Sequence, residues 1–543
     1  DPPQPAVKYG DFFKKYFNRQ TMVYLGDNGG VLHAFKADTG FEVYAFVPDD
    51  ILGLAPGEKE GSRPTLKDLV RAVVTKKNGI QNHVYQLAGS CTVEEAYLRS
   101  DSGGDDDFHT ILACGRGPGG KFLTALDVTN PGEWNPSNPR LPKLPGDVVP
   151  KPELRFNRGN RVGVMNDPLA DQALLDGLGE TWSAPRLGEV RVASGLGGPA
   201  STRWLLFAGS GYGCTGTDEG KYFYVLRLED GSVYRRYGPI LSPYDASAPI
   251  KDNALVAAPT LFNPHTYDPQ KLDKNDYVTR VYTTDLRGNV YKLDTSAPDP
   301  SQWSFGLFYS LGADQPIAAP VALLYQDQQK GPLVVTGSGN DSRVTKKGLA
   351  PNDYFVMAAL VDSSPAGFDL QNCSLTTCSV TTTAFDGKPF TVTPGGTVLP
   401  AGGPFIVNLP AQDRVYVSPV TVPNRGTGGT VFFASSQPRF DLGLCATLFS
   451  SNLFGYTFGS VNASVVGAFD IAPTTDPSGS KVSLGQGKVA GLYHRDKHIW
   501  VGLTGGVNTN GSTLLLGEDT FPEVPVYTDR LQIFVDRVGT SVF

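Results

Sequence analysis

The chain has 543 residues, 40% of them apolar and 19% charged, with a formal net charge of −7. That acidic balance, without a basic stripe, excludes an electrostatic reader of nucleic acid, and no run of 18 apolar residues offers a membrane-spanning helix. Gly (63) and Pro (42) are abundant while Met (3) and His (6) are scarce, which favours many strands and turns over long helices.

In chain order, the first element is residues 23–35, V-Y-L-G-D-N-G-G-V-L-H-A-F. Its pattern recurs at 281–293, V-Y-T-T-D-L-R-G-N-V-Y-K-L, with Asp27 aligned on Asp285 and Gly30 on Gly288. Each copy reads as an apolar strand, a tight turn and a second apolar strand. Glycine suits such turns because positive φ costs it nothing. Further strand pairs are expected at 110–114 with 121–127, 204–209 with 222–228 and 333–339 with 354–361. Two more follow at 430–435 with 453–458 and 488–492 with 498–503. Helix signals are few, the best being 169–177 closed by Gly177.

A second marker precedes several of these units: Ala184-Pro185, Ala258-Pro259, Ala319-Pro320 and Ser418-Pro419. Proline is tolerated at the first residue of a strand, and a small neighbour permits close approach near a crowded axis. A hairpin that cannot bury its own face implies a stacked array. The expected fold is all-β, a single modified β-propeller of about seven blades over 1–543. Its loop insertions are 131–180, rich in Pro, Asn, Gly and Asp, and 363–411, rich in Thr, Pro and Gly. Such loops sit at the surface and commonly carry binding.

Six cysteines are present, without a CxxC pair. An even number in a β-rich chain suggests an oxidising compartment. Cys373 and Cys378 enclose a small loop, and Cys91 and Cys114 flank a strand pair, so these are the disulfide candidates. Buried free thiols are the alternative. The chain starts at Asp1, with neither Met nor a signal peptide, and is read as a processed or truncated piece of a longer protein.

For metal chemistry, Asp268, Asp273, Asn275 and Asp276 form an acidic stretch, with Asp273 and Asn275 at the alternate spacing calcium ligands use. No Gly or later acid completes a loop there. The turns at Asp27 and Asp285 are expected to be capped by the Asp side chain on backbone N–H groups rather than to bind metal. The run Asp105–Asp107 with His109 reads as a solvated hairpin tip. Nucleophile-elbow, P-loop and zincin motifs are missing. The G-R-G-P-G-G stretch at 115–120 joins two strands, so it is not a phosphate cradle.

Several of these segments carry a family resemblance. V-Y-L-G-D-N-G-G-V-L-H-A-F-K-A-D-T-G (23–40) resembles the opening propeller motif of the PilY family of type IV pilus tip-associated adhesins and assembly factors. The likeness continues in order through 109–131, 205–213, 257–260 and 281–294, and weakens after about residue 360. The resemblance implies a modified propeller of about seven blades in an exported, cell-surface protein at the pilus tip. It further implies minor pilins as partners, a host or abiotic surface ligand, and roles in pilus assembly, adhesion and twitching motility. Several family members carry a calcium loop before the strand matching Val281-Tyr282. Here that stretch is expanded, and Thr279 stands where the last Asp would fall, so only Asp273, Asn275 and Asp276 carry over.

The leading expectation is thus a non-enzymatic surface module. A quinoprotein-type dehydrogenase is the alternative, because the A-D-T-G turn at 37–40 also occurs in that propeller superfamily. Against it stands the lack of adjacent cysteines. A purely structural spacer in a surface assembly is the third reading.

Overall fold

The structure is a computed structural model of the chain. It describes residues 5–54, 56–61, 63–75, 84–98, 107–132, 134–135, 138–142, 152–161, 175–193, 200–213, 219–240, 254–263, 277–312, 315–325, 331–339, 355–362, 368–369, 378–381, 389–392, 405–410, 412–424, 428–441, 446–459, 465–467, 481–495 and 498–504. Two compact units are distinguished. Among the described residues, the first comprises those up to Thr279 together with Asp294–Trp303, and the second Arg280–Leu293 together with those from Ser304 to Thr504.

The first unit contains three antiparallel sheets. The first sheet is Met22–Gly26, Leu32–Lys36 and Glu42–Phe46. The second is Cys91–Leu98, Asp107–Cys114, Phe122–Asp127 and Glu153–Gly159. The third is Arg186–Ala193, Ala200–Gly209, Phe223–Arg227 and Val233–Tyr237. In the second unit, the fourth sheet runs through Arg280–Thr284, Asn289–Asp294 and Ser304–Ser310. The fifth is Ala322–Tyr325, Pro332–Gly337, Val356–Val361 and Phe405–Asn408. The sixth is built on Val420–Asn424, Gly428–Asp441 and Ala446–Gly459, and the seventh on Lys488–Arg495 and His498–Thr504. Two small hairpins, Trp134–Asn135 with Asn138–Pro142 and Cys378–Thr381 with Pro389–Val392, lie inside the loop-rich stretches.

All seven strand pairs expected from the sequence are present; Pro185, Pro259 and Pro419 immediately precede the strands Arg186–Ala193, Thr260–Phe262 and Val420–Asn424, and Pro320 is separated from Ala322–Tyr325 by Val321 alone. Packing runs between consecutive sheets. Leu32, Leu87, Leu112 and Leu126 join the first sheet to the second, and Ile111, Leu123, Leu206 and Tyr224 join the second to the third. In the second unit, Val335, Met357, Val431 and Phe433 join the fifth to the sixth, and Phe432, Leu453, Ile499 and Val501 join the sixth to the seventh. A strand covered on both faces reads as a mostly apolar run whose few polar side chains need partners, and Phe122–Asp127 and Pro332–Gly337 are buried at every position. Each large side chain so buried contributes about 1.5–3 kcal/mol.

Three features depart from the sequence reading. Glu153–Gly159, inside the stretch read as an insertion, is the fourth strand of the second sheet: its bulged pairing with Phe122–Asp127 hides Phe156 in a core that a polar, Pro-rich setting obscured. Likewise Phe405–Asn408, inside 363–411, completes the fifth sheet. Helices Pro5–Tyr16 and Leu66–Thr75 were not foreseen. The first docks Phe12 against Tyr97 and Phe108, so tertiary packing rather than propensity holds it. The second starts on a capping box in which Asp68 Oδ2 accepts from the Thr65 N–H and hydroxyl, both at 2.9 Å. Most of the helix expected at 169–177 lies outside the described residues.

Candidate functional site

The two copies of the opening motif fold alike. Asp27 N–H donates to Val31 O (3.0 Å) and Asp285 N–H to Asn289 O (3.1 Å). Each Asp Oδ1 accepts the N–H four residues on, from Val31 at 2.7 Å and from Asn289 at 3.0 Å. Each Asp Oδ2 meets the side chain six residues on, His33 at 3.4 Å and Tyr291 at 2.9 Å. The carbonyl of each Asp also accepts an N–H from a distant segment, Leu87 (3.2 Å) or Ile317 (3.1 Å). Thus the Asp is a turn cap and an anchor for the next sheet's lead-in segment. Gly30 and Gly288 adopt φ of 92° and 77°, and a Cβ on Gly288 would lie 2.4 Å from Gly312 O.

The environments of the two copies differ. Asp285 is fully buried, and burial pushes its carboxyl above the usual range even though Asn289, Tyr291 and Arg287 donate to it. His33 is partly exposed, with Nδ1 at 2.6 Å from Glu42. Desolvation alone would lower its pKa, but Glu42 and Asp27 together raise it above the ordinary histidine value.

Three further charged networks clamp strands together. In the first unit, the G-R-G-P-G-G loop drives Arg116 inward, where Nη2 bonds Asp50 (2.8 Å), Thr124 (2.6 Å) and Asn157 (2.9 Å). On the second sheet, Asp127 accepts from Thr129 through Oδ1 and faces His109 (2.6 Å) and Arg155 through Oδ2. Burial opposes ionisation of Asp127, yet His109, Thr129 and Arg155 outweigh it and hold the carboxyl well below its usual range. Beside it Arg19 binds Glu95 and Thr110, and Tyr9 donates to Glu95. In the second unit, buried Asp362 gathers Tyr282 Oη (2.7 Å), Lys292 Nζ (3.0 Å) and Arg280 Nη1 (3.3 Å).

The cluster of His109, Asp127, Arg155, Arg19 and Glu95, in which Asp127 is buried and the other four are about a quarter exposed or less, is the best candidate site near the surface. Its carboxylates are already engaged by cations and hydroxyls, so the arrangement suits recognition by presented charges better than proton transfer to a substrate. The sequence marked His109 only as part of a hairpin tip. Asp127 had one signal, the D-x-T spacing in which Thr129 caps the carboxylate. Arg116 was hidden by its glycine-rich setting, and Asp362 had no local signal.

Asp273, Asn275 and Asp276 lie outside the described residues, as does Cys373; Cys378 opens a short strand. Cys91 and Cys114 are bonded to each other, facing across the first two strands of the second sheet with a Cα separation of 4.1 Å. Among the described residues no group of three or more His, Cys, Asp or Glu is arranged for a metal, and no helix is long and apolar enough to cross a membrane.

Four-stranded antiparallel sheets packed face to face in chain order define a protein of the β-propeller class. The chain belongs to the PilY1 beta-propeller domain family, whose model matches residues 1–350. Two curated relatives are similar to it. A type IV pilus biogenesis factor PilY1 homolog of Xylella fastidiosa is 26% identical over 301 residues, covering 55% of this chain and 16% of the relative. The type IV pilus biogenesis factor PilY1 of Pseudomonas aeruginosa is 26% identical over 369 residues, covering 62% and 25%. The chain therefore spans a quarter or less of either relative's length. The crystal structure of the P. aeruginosa PilY1 C-terminal domain shares the fold, with a TM-score of 0.53 and 17% identity over 92% of this chain and 94% of that one.

Proposed function

We propose that this chain is a non-enzymatic module of an exported type IV pilus biogenesis protein, acting at the pilus tip. There it docks minor pilins and presents loops to a host or abiotic surface, and so serves assembly, adhesion and twitching motility. The observation that carries this reading is the match of residues 1–350 to the PilY1 propeller family. The fold supports it, since rigid stacked sheets hold variable loops in place for binding. The Cys91–Cys114 disulfide suits a protein that passes through an oxidising compartment.

The test is deletion of the gene, with surface pili and surface attachment scored separately. Loss of surface pili, restored by the intact gene, is the expected result. A second strain lacking residues 370–404 should regain pili but attach weakly. A deletion strain that makes and uses pili normally would refute the proposal, and normal attachment without 370–404 would remove that loop from it.

A further inference from the structure

Arg158 is 7% exposed, and its Nη1 is shut off from solvent. Among the described residues it has no hydrogen-bond or ion-pair partner. Arginine cannot shed its proton, and a buried charge without a counter-ion is costly. Arg116, equally buried, has Asp50 for that purpose.

Arg158 lies on Glu153–Gly159, the outermost strand of the second sheet, as the partner of Leu123, while Phe156 is the partner of Ala125. Cross-strand partners share a face. Leu123, Ala125 and Phe156 belong to the core that faces the third sheet, so Arg158 faces that sheet too. On the outermost strand of the third sheet, Val233–Tyr237, Arg236 is the partner of Tyr224, a residue of the same core, and so faces back. Contacts on either side of Arg158 hold the two strands together. Phe156, two residues before it, packs on Gly231, where a Cβ would lie 2.5 Å from Phe156 Cδ2. Asn160, two residues after it, donates through Nδ2 to Asp176 O (2.8 Å), and the Asp176 carboxylate takes Arg236 Nη1 (2.7 Å).

The neighbouring charges are matched. Arg236 has Asp176, and Lys121 has Glu219, whose Oε1 also takes Asn160 Nδ2. The positive charge of Arg158 is left over. We infer that the crevice between these two outermost strands binds a carboxylate, held by Arg158 and flanked by Arg236. A single unmatched charge suits a monovalent anion, and the flat guanidinium fork takes both oxygens of a carboxylate. A free small carboxylate and the side chain of a bound glutamate present the same two oxygens.

The experiment labels the arginines of the whole chain isotopically for magnetic resonance and titrates it with acetate, with N-acetylglutamate amide, and with chloride at matched ionic strength. The Arg158 guanidinium signal is the one missing from Arg158→Leu. It should shift saturably with carboxylate and not with chloride. Saturation at lower acetate marks a free ligand as the source, and saturation at lower glutamate amide marks a side chain. Asp176→Asn, which leaves Arg236 unmatched as well, should tighten carboxylate binding about threefold. In chloride alone, second-sheet amides of Arg158→Leu should open in urea no earlier than those of wild type, because the variant loses an unmatched buried charge. Saturating carboxylate should then protect wild type only. No shift with either carboxylate, an equal shift with chloride, or weaker binding by Asp176→Asn would overturn the assignment. So would opening of Arg158→Leu at much lower urea than wild type in chloride, since the guanidinium would already have its counter-ion.

Discussion

Arg116→Met isolates what the glycine-rich loop at 115–120 contributes. Arg116 is fully buried, and Asp50, its ion-pair partner, is 3% exposed. Methionine preserves much of the side-chain stem but leaves Asp50 as a buried carboxylate with Asn157 Nδ2, at 2.8 Å, as its nearest remaining donor. Breaking a buried pair from one side costs about 3–5 kcal/mol, because the surviving charge keeps its desolvation penalty and loses its counter-ion. With a urea slope of about 3 kcal/mol/M, the midpoint of the first unit should fall by roughly 1–1.7 M. Arg116→Met combined with Asp50→Leu removes both charges and should recover most of that loss. Two units preclude a single unfolding free energy, so the assay is urea-dependent exchange of second-sheet amides such as Leu112. The sign with pH is set by Asp50. Burial raises its pKa, but Arg116, Asn157 and Arg63 lower it below the unfolded value. The stabilisation is therefore present above the ordinary carboxylate pKa and lost as pH falls through the folded one, so wild type and Arg116→Met should converge in acid. A cost below about 1 kcal/mol, or a double variant as costly as the two singles summed, would refute the assignment.

Gly288→Ala should cost at least twice as much as Gly40→Ala, which should lose about 1 kcal/mol. Both glycines have positive φ, but a Cβ at Gly40 meets nothing within 4 Å, and equal midpoint shifts would contradict the clash. The His33 contribution is present below the ordinary histidine pKa and lost as pH rises through the raised folded value. Exchange of the Leu32–Lys36 amides should accordingly speed up, beyond the intrinsic base dependence, between mildly acidic and mildly alkaline pH, and Glu42→Gln should weaken that effect. Replacing Cys91 and Cys114 together by serine, which opens a loop with a sequence separation of 23, should lower stability by about 3 kcal/mol in denaturant titration.

Hairpins were legible in the sequence because they are local. The turn at Asp285 needs only an Asp, a Gly at φ 77° and two apolar flanks, all within ten residues. The strands that close the blades were less so. Glu153–Gly159 lies across a long polar excursion from Phe122–Asp127, and Phe405–Asn408 is similarly remote from Val356–Val361. Their alternation is too brief to stand out from a loop. Pro5–Tyr16 is helical because Phe12 has Phe108 to pack against, a partner nearly a hundred positions away.

By itself, the sequence determined the β-class, seven of the hairpins and the order in which they follow, since period, turn residues and Pro markers act over short spans. Only the tertiary structure decided which charges are paired. Arg116 with Asp50, Asp127 with Arg155 and Asp362 with Lys292 are separated by 66, 28 and 70 residues respectively. Such partners are chosen by where folded strands bring side chains out of water, and a buried charge there must find its opposite.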